Sequence, residues 1–221
     1  MARDGPSARL SGNSPSLRPV PPCGSILAMT SSEPDVALMQ RVRAGDTDAL
    51  RELIERHQRA VINTIYRSIG DASEAEDLAQ RVFIQVYRSA KRYKPTAKFT
   101  TWLFTITRNT ILNEHRRRSR HPAESLDALQ DPADPETAGW QPTNPSMRDP
   151  AQLAVERELQ EKIKEAVQEL PEAQRTAVIL CRYEGRSYEE IAEVLGCSIS
   201  ATKSLLHRAR LTLKDKLRGY Y

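Results

Sequence analysis

The chain has 221 residues, a formal net charge of +4 at pH 7, a sequence pI near 9.0 and 39% hydrophobic residues. That length supports one large or two small domains, and no apolar run reaches transmembrane length, which excludes a membrane-spanning helix. The three cysteines, Cys23, Cys181 and Cys197, lie far apart without a C-x-x-C pair; this excludes a zinc knuckle, and nothing else in the pattern asks for a metal or a cofactor.

Residues 1–32 are rich in Pro, Ser, Gly and Arg without periodicity and are expected to be disordered. Arg3, Arg9 and Arg18 precede no continuous apolar core, so a signal peptide is not expected, and Met29 is a candidate start just ahead of the first helical signal. A short helix over 35–44 carries Val36, Leu38, Met39 and Val42 and closes at Gly45. Asp46 then caps a long helix with Leu50, Leu53, Ile54, Val61, Ile62, Ile65, Tyr66 and Ile69 at helical spacing, ended by Gly70. His57 falls on that stripe as a core-edge histidine.

Ser73 is expected to start a third helix, with Leu78, Val82, Phe83, Val86 and Tyr87 on one face. Asp77, Gln80, Arg81, Gln85 and Arg88 lie opposite, a mixed polar face that suits a protein partner, although spacing alone fits a plain core helix equally well. Pro95 breaks this helix. Thr100 or Thr101 is expected to cap a fourth through Trp102, Leu103, Ile106, Ile111 and Leu112, running out in Arg116, Arg117 and Arg118. No strand pattern competes, so the expected fold is all-α.

The charge is uneven. From 91 to 120 the basic residues are Lys91, Arg92, Lys94, Lys98, Arg108, Arg116, Arg117, Arg118 and Arg120, against Glu114 alone. Aromatic and polar residues interleave with them: Arg92, Tyr93, Lys94, Lys98, Phe99, Trp102, Arg108, Asn109, Asn113 and Arg116. Single-stranded nucleic acid needs cations along its phosphates and flat side chains or apolar pockets for unpaired bases, and this stretch supplies both. Residues 121–151 reverse the charge and carry Pro122, Pro132, Pro135, Pro142, Pro145 and Pro150, the composition of a linker.

Helical period resumes at Leu153, and Pro171 sits in the first turn of the next helix, which Gly185 ends. Ser187 and Glu190 then make an S-x-x-E capping box, Ala192 is small enough for a close helix crossing, and Gly196 stands where a left-handed turn is needed. Ser198 can cap a final helix whose polar face offers Ser200, Lys203, Ser204, His207, Arg208 and Arg210. Cap, small residue, glycine, cap and basic helix in that order read as a helix-turn-helix aimed at a DNA major groove. Two helical domains, 33–120 and 152–221, are expected on either side of the linker.

Three motifs in this order and spacing resemble the extracytoplasmic-function (ECF) group of bacterial sigma-70 family sigma factors. They are Asp77-Leu78-Ala79-Gln80-Arg81-Val82-Phe83, the run from Phe99 through Thr100, Thr101 and Trp102 to Arg108 and Asn109, and 187–210 ending His207-Arg208-Ala209-Arg210. The resemblance implies a promoter-specificity subunit of RNA polymerase without catalytic residues, cytoplasmic and independent of membranes. It implies that Asp77, Leu78, Gln80, Arg81, Phe83 and Gln85 dock on the clamp helices of the polymerase β′ subunit, with the second domain reaching the β flap. Arg92, Tyr93, Lys94, Lys98, Phe99, Trp102, Arg108, Asn109, Asn113, Arg116 and Arg117 would meet the opened −10 element. Ser198, Ser200, Ala201, Lys203, Ser204, His207, Arg208 and Arg210 would read the −35 duplex. Promoter DNA, core polymerase and an anti-sigma factor are the implied partners. Two positions depart from the family pattern: Arg81, where relatives usually carry Glu, and Leu205, where many carry Arg.

A self-sufficient helix-turn-helix repressor explains the C-terminal half but not the basic-aromatic helix. An invertase or nuclease would need clustered carboxylates; Asp71, Glu74, Glu76 and Asp77 are close in sequence, but acids at a helix start account for them.

Overall fold

The computed structural model describes residues 33–120 and 150–220, and every regular element there is helical. The chain runs α1 (Glu33–Arg43), α2 (Thr47–Ile69), α3 (Ala72–Ser89), a 3₁₀ turn (Ala90–Arg92), α4 (Phe99–Arg120), α5 (Pro150–Gln168), α6 (Glu172–Arg182), α7 (Tyr188–Leu195) and α8 (Ile199–Lys216). A last 3₁₀ turn covers Arg218–Tyr220. The expectations for residues 1–32 and for the linker up to 149 fall outside the described residues.

Local chemistry sets the boundaries. Asp46 caps α2 as expected, its carboxylate accepting from the amides of Asp48 and Ala49 at 2.9 and 3.1 Å. Gly70 ends α2 at φ +92°, a left-handed conformation that a side chain would strain. The start of α3 differs from expectation: Asp71, not Ser73, is the cap, accepting from Glu74 N at 2.9 Å. α4 also starts earlier, at Phe99, with Trp102 N bonded to Lys98 O, so neither Thr100 nor Thr101 caps it; both are buried. The second half follows the sequence closely. Ser187 and Glu190 form the reciprocal capping box, Glu190 N to Ser187 Oγ at 3.2 Å and Ser187 N to Glu190 Oε2 at 2.8 Å. Gly196 turns at φ +66°, and Ser198 caps α8 through Ala201 N.

α1 to α4 close around Met39, Leu53, Val61, Ile65, Leu78, Val82, Phe99 and Leu103. Beside this core His57 Nε2 lies 3.0 Å from the buried Asp35, which also pairs with Arg56. Burial holds the His57 imidazole below its ordinary pKa, outweighing the pull of Asp35 in the other direction. A second cluster gathers Ala177, Leu180, Cys181, Ile191, Val194 and Leu206 from α6, α7 and α8, and Phe104 of α4 completes it. The first domain therefore contributes one large side chain to the core of the second.

Candidate nucleic-acid and protein interfaces

α8 packs against α5, α6 and α7 through Thr202, Leu206 and Ala209, which are buried. That fixes the opposite face outward: Ser198, Ser200, Lys203, Ser204, His207, Arg208 and Arg210 are exposed and Ala201 is half-buried. The angle of α8 to α7 is set by Gly196 and Cys197, whose amides bond to Glu193 O and Ala192 O at 3.2 and 3.0 Å, and by Cys197 Sγ against Thr202 Oγ1 at 3.3 Å. Leu205 is half-buried at the edge of this face. The pattern of short cap, close crossing and outward basic helix is the geometry of a major-groove reader.

α4 carries two different faces. Trp102, Ile106, Asn109, Asn113 and Arg116 follow one another at helical spacing along one stripe; Asn109, Asn113 and Arg116 are exposed, and Trp102 and Ile106 pack partly on the first core. Arg92, Lys94 and Lys98 stand exposed on the turn and loop before it. The rings expected to stack on bases are less available. Phe99 is 0% and Tyr93 5% exposed, and they pack with Trp102 in an edge-on and tilted aromatic cluster. Direct stacking by Phe99 and Tyr93 is therefore corrected to a supporting role: they hold the half-buried Trp102. Among the described residues the Tyr93 hydroxyl meets no hydrogen-bond partner, so ring packing holds the loop there.

The other face of α4 meets the second domain. Thr100 accepts a hydrogen bond from Arg186 Nη1 at 2.9 Å, and the same guanidinium lies over the Phe104 ring at 5.0 Å. Arg108 donates through Nε and Nη2 to the two carboxylate oxygens of Glu172 at 3.0 and 3.4 Å. Lys98 Nζ is 2.9 Å from Glu190 Oε1. Burial pushes the Glu190 carboxyl up, but the Ser187 amide and Lys98 outweigh it and leave the group below its ordinary pKa. Farther along, Arg175 donates to Ser68 O at 2.8 Å, Lys164 to Tyr66 Oη at 2.9 Å and Thr64 to Glu184 at 3.3 Å. Burial raises the Glu184 pKa against the opposing pull of Arg186 and Thr64. Lys98 and Arg108, two cations assigned to single-stranded DNA, are thus paired with carboxylates of the second domain, and Arg108 lies off the stripe that Trp102 and Asn109 share.

On α3, Asp77, Gln80, Arg81 and Gln85 are exposed, while Leu78 at 1% exposure belongs to the core and cannot touch a partner. Phe83 is buried at the edge of a groove of about 750 Å3 between α2 and α3, lined also by Leu50, Ile54, Ile62, Ile84 and Tyr87. Ile84 and Tyr87 are each 50% exposed. Tyr87 was expected on the core face, and Ile84 was not singled out. An aliphatic residue outside the Leu78–Val82–Val86 spacing was the available signal.

Among the described residues no cluster of His, Cys, Asp and Glu could hold a metal, and no helix is long and apolar enough to cross a membrane.

Comparison with known proteins matches this geometry. Residues 53–121 fit the family described as Sigma-70 region 2, and residues 160–213 fit Sigma-70, region 4. The RNA polymerase sigma-H factor of Pseudomonas aeruginosa is 33% identical over 86% of this chain and 96% of its own length. The ECF RNA polymerase sigma-E factor of Escherichia coli is 30% identical over 86% of this chain and 97% of its own. Among solved structures, the sigma factor RpoE in complex with the anti-sigma factor NepR from Bartonella quintana superposes with a TM-score of 0.57 at 25% identity, over 76% of this chain and 96% of that one. CnrH in complex with the cytosolic domain of CnrY shares the fold, with a TM-score of 0.60 at 22% identity over 85% and 99% of the two chains.

Proposed function

Because the chain belongs to the ECF group of sigma-70 family RNA polymerase sigma factors, we propose that it brings core polymerase to promoters through three separate surfaces and performs no chemistry of its own. The α3 face with Asp77, Gln80, Arg81 and Gln85, extended by the Phe83–Ile84–Tyr87 groove, docks on the polymerase clamp. The outward face of α8 reads a −35 duplex. The stripe from Trp102 to Arg116, with the cations at 92–98 and the tail at 116–117, holds the separated −10 strand. Each surface alone is a weak binder; joined on one polymerase, the second and third contacts become intramolecular and gain effective concentration. Opening is a bias in binding: the first domain stabilises the strand once it is unpaired. The same reading makes the chain a cytoplasmic one, and an anti-sigma factor is its expected inhibitor.

The observation that carries this reading is the outward basic face of α8, with Lys203, His207, Arg208 and Arg210 exposed on a helix whose angle to α7 is fixed by the turn at Gly196 and Cys197. In vitro transcription with core polymerase over a promoter library tests it. Specific initiation is expected only when the chain is added. Tight binding of the chain alone, as a dimer on a palindrome and without effect on initiation, would sink it.

A further inference from the structure

The outward face of α8 has two unlike edges. Lys203, Arg210 and Lys214 follow at i, i+7 and i+11 along one of them; all three are exposed, and Arg210 Nη2 stands 3.5 Å from Tyr188 Oη of α7. Ala201, Leu205, Arg208 and Thr212 follow at i, i+4, i+7 and i+11 along the other, with Arg208 exposed and the rest half-buried. Between the edges run Ser200, Ser204 and His207, all polar and exposed. The apolar cores do not account for Leu205. Thr202, Leu206 and Ala209 are the buried residues that seat α8 on its neighbours. Among the described residues, Leu205 belongs to neither apolar cluster, nor to the partly buried side chains packed on them.

A leucine that the core leaves over, on a helix that reads a duplex, needs a complement in the groove. Base edges in the major groove are hydrogen-bond donors and acceptors, and an alkyl group laid on them leaves them desolvated and unpaired. Thymine is the exception, because its C5-methyl is the one alkyl group the groove offers. That methyl stands on the side of the base nearest its own strand's backbone. An apolar patch at the edge of a helix, next to a cation, therefore suits it better than the polar middle of the face. We propose that Leu205, with Ala201 one turn before it, is a specificity-determining residue: it selects a thymine in the −35 duplex by packing on the C5-methyl, while Arg208 anchors the same edge to the DNA. The inference rests on the assignment of α8 to the −35 duplex made above.

The test uses holoenzyme assembled from core polymerase and the full chain, on a labelled promoter duplex that the wild-type chain initiates on. Each thymine of the −35 element, on either strand, is replaced singly by deoxyuridine, which removes the methyl and keeps every hydrogen-bonding group. Wild type is expected to lose about three- to fivefold in affinity at one thymine, the size of one methyl group left in water, and little at the others. Leu205→Ala is expected to bind the unmodified duplex more weakly by at least that factor, and to bind the thymine and uracil forms of the site alike. Its helical content and melting curve should match wild type, since neither core includes the side chain; the uracil scan on wild type needs no variant and decides the matter if Leu205→Ala misfolds. A −35 element without thymine overturns the role of Leu205. So does a scan in which no thymine is sensitive while Lys203→Ala and Arg208→Ala still weaken binding, and the duplex assignment then stands. Sensitivity that persists in Leu205→Ala puts the methyl against another side chain, such as the exposed Ile199 or Leu211, and overturns it equally. If Lys203→Ala, Ser204→Ala and Arg208→Ala are all silent, the duplex assignment itself falls, and this inference with it.

Discussion

Replacing Glu172 and Glu190 together by Gln should loosen the two domains and bare Lys98 and Arg108, cations proposed to meet the separated strand. The Lys98–Glu190 pair has a half-exposed lysine, so its loss costs closure only about 0.2–1 kcal/mol. The Arg108–Glu172 pair has two contacts between groups 21% and 30% exposed, and about 1.5 kcal/mol is a fair figure for a charge-assisted bond there. Together they give about 2 kcal/mol, a shift of about 30-fold in the closed-to-open ratio. Gln at position 190 can still fill the reciprocal place in the capping box, so the helix-turn-helix keeps its start. Gln at position 172 loses a negative charge in the first turn of α6, worth about 0.3–1 kcal/mol, which a parallel melting curve would detect. The assay is energy transfer between dyes on the exposed positions Arg88 of α3 and Lys214 of α8, with single-strand binding by the free chain measured alongside. The double variant should open and bind strand more tightly at 0.15 M salt, and wild type should approach it as salt rises. A double variant as closed as wild type, or one that opens without binding strand better, refutes the masking of Lys98 and Arg108.

Other outcomes follow from particular contacts. Gly70→Ala puts a Cβ at φ +92° and against the Gln168 amide of α5, so chemical denaturation should show a loss of about 1–2 kcal/mol or more, larger than for Gly45→Ala, where no atom is near. Arg208→Ala should lower −35 duplex affinity by about 1–3 kcal/mol if the side chain reaches a base edge, read by footprinting at fixed salt; an unchanged footprint removes it from the reading face. Asp77→Arg should weaken core-polymerase binding in a pull-down while helical content stays constant, since the side chain is exposed and outside the core. The pH effects have opposite signs. The lowered pKa of His57 means that the first domain keeps its full stability above the unfolded value of 6.5 and loses it as pH falls through the folded value. The raised pKa of Glu184 means that its contribution to closure is full below 4.5 and is lost as pH rises through its elevated value, which the same dye pair can follow.

Much of this was legible from local chemistry. The boundaries of α7 and α8 follow from Ser187, Glu190, Gly196 and Ser198, because caps act within one turn and need no distant partner. The outward face of α8 follows from spacing once Thr202, Leu206 and Ala209 are taken as the packed side. The −10 residues were harder. Sequence shows that Phe99 and Tyr93 are aromatic and next to cations, but not that the α1–α4 bundle closes over them, because that depends on contacts with His57, more than thirty residues away in the chain. Leu78 was drawn onto the docking face by its place in a motif, while its spacing with Val82 and Val86 had already put it inside. The division of α4 between an outward stripe and a face packed on the second domain was invisible for a similar reason: Thr100, Phe104 and Arg108 form a stripe of their own whose partners lie beyond residue 150 in the chain.

That Phe104 completes the apolar cluster of the second domain bears on the life of the protein between transcription cycles. Parting the domains uncovers Phe104 of α4 and the apolar side chains of α6, α7 and α8 clustered with it at once, two adhesive surfaces on one molecule. A chain that has left the polymerase and stays parted is a target for proteases and for chance association with its neighbours. Folding back on itself is then a form of safekeeping, and variants that open more readily should turn over faster in the cell than their thermal stability alone would indicate.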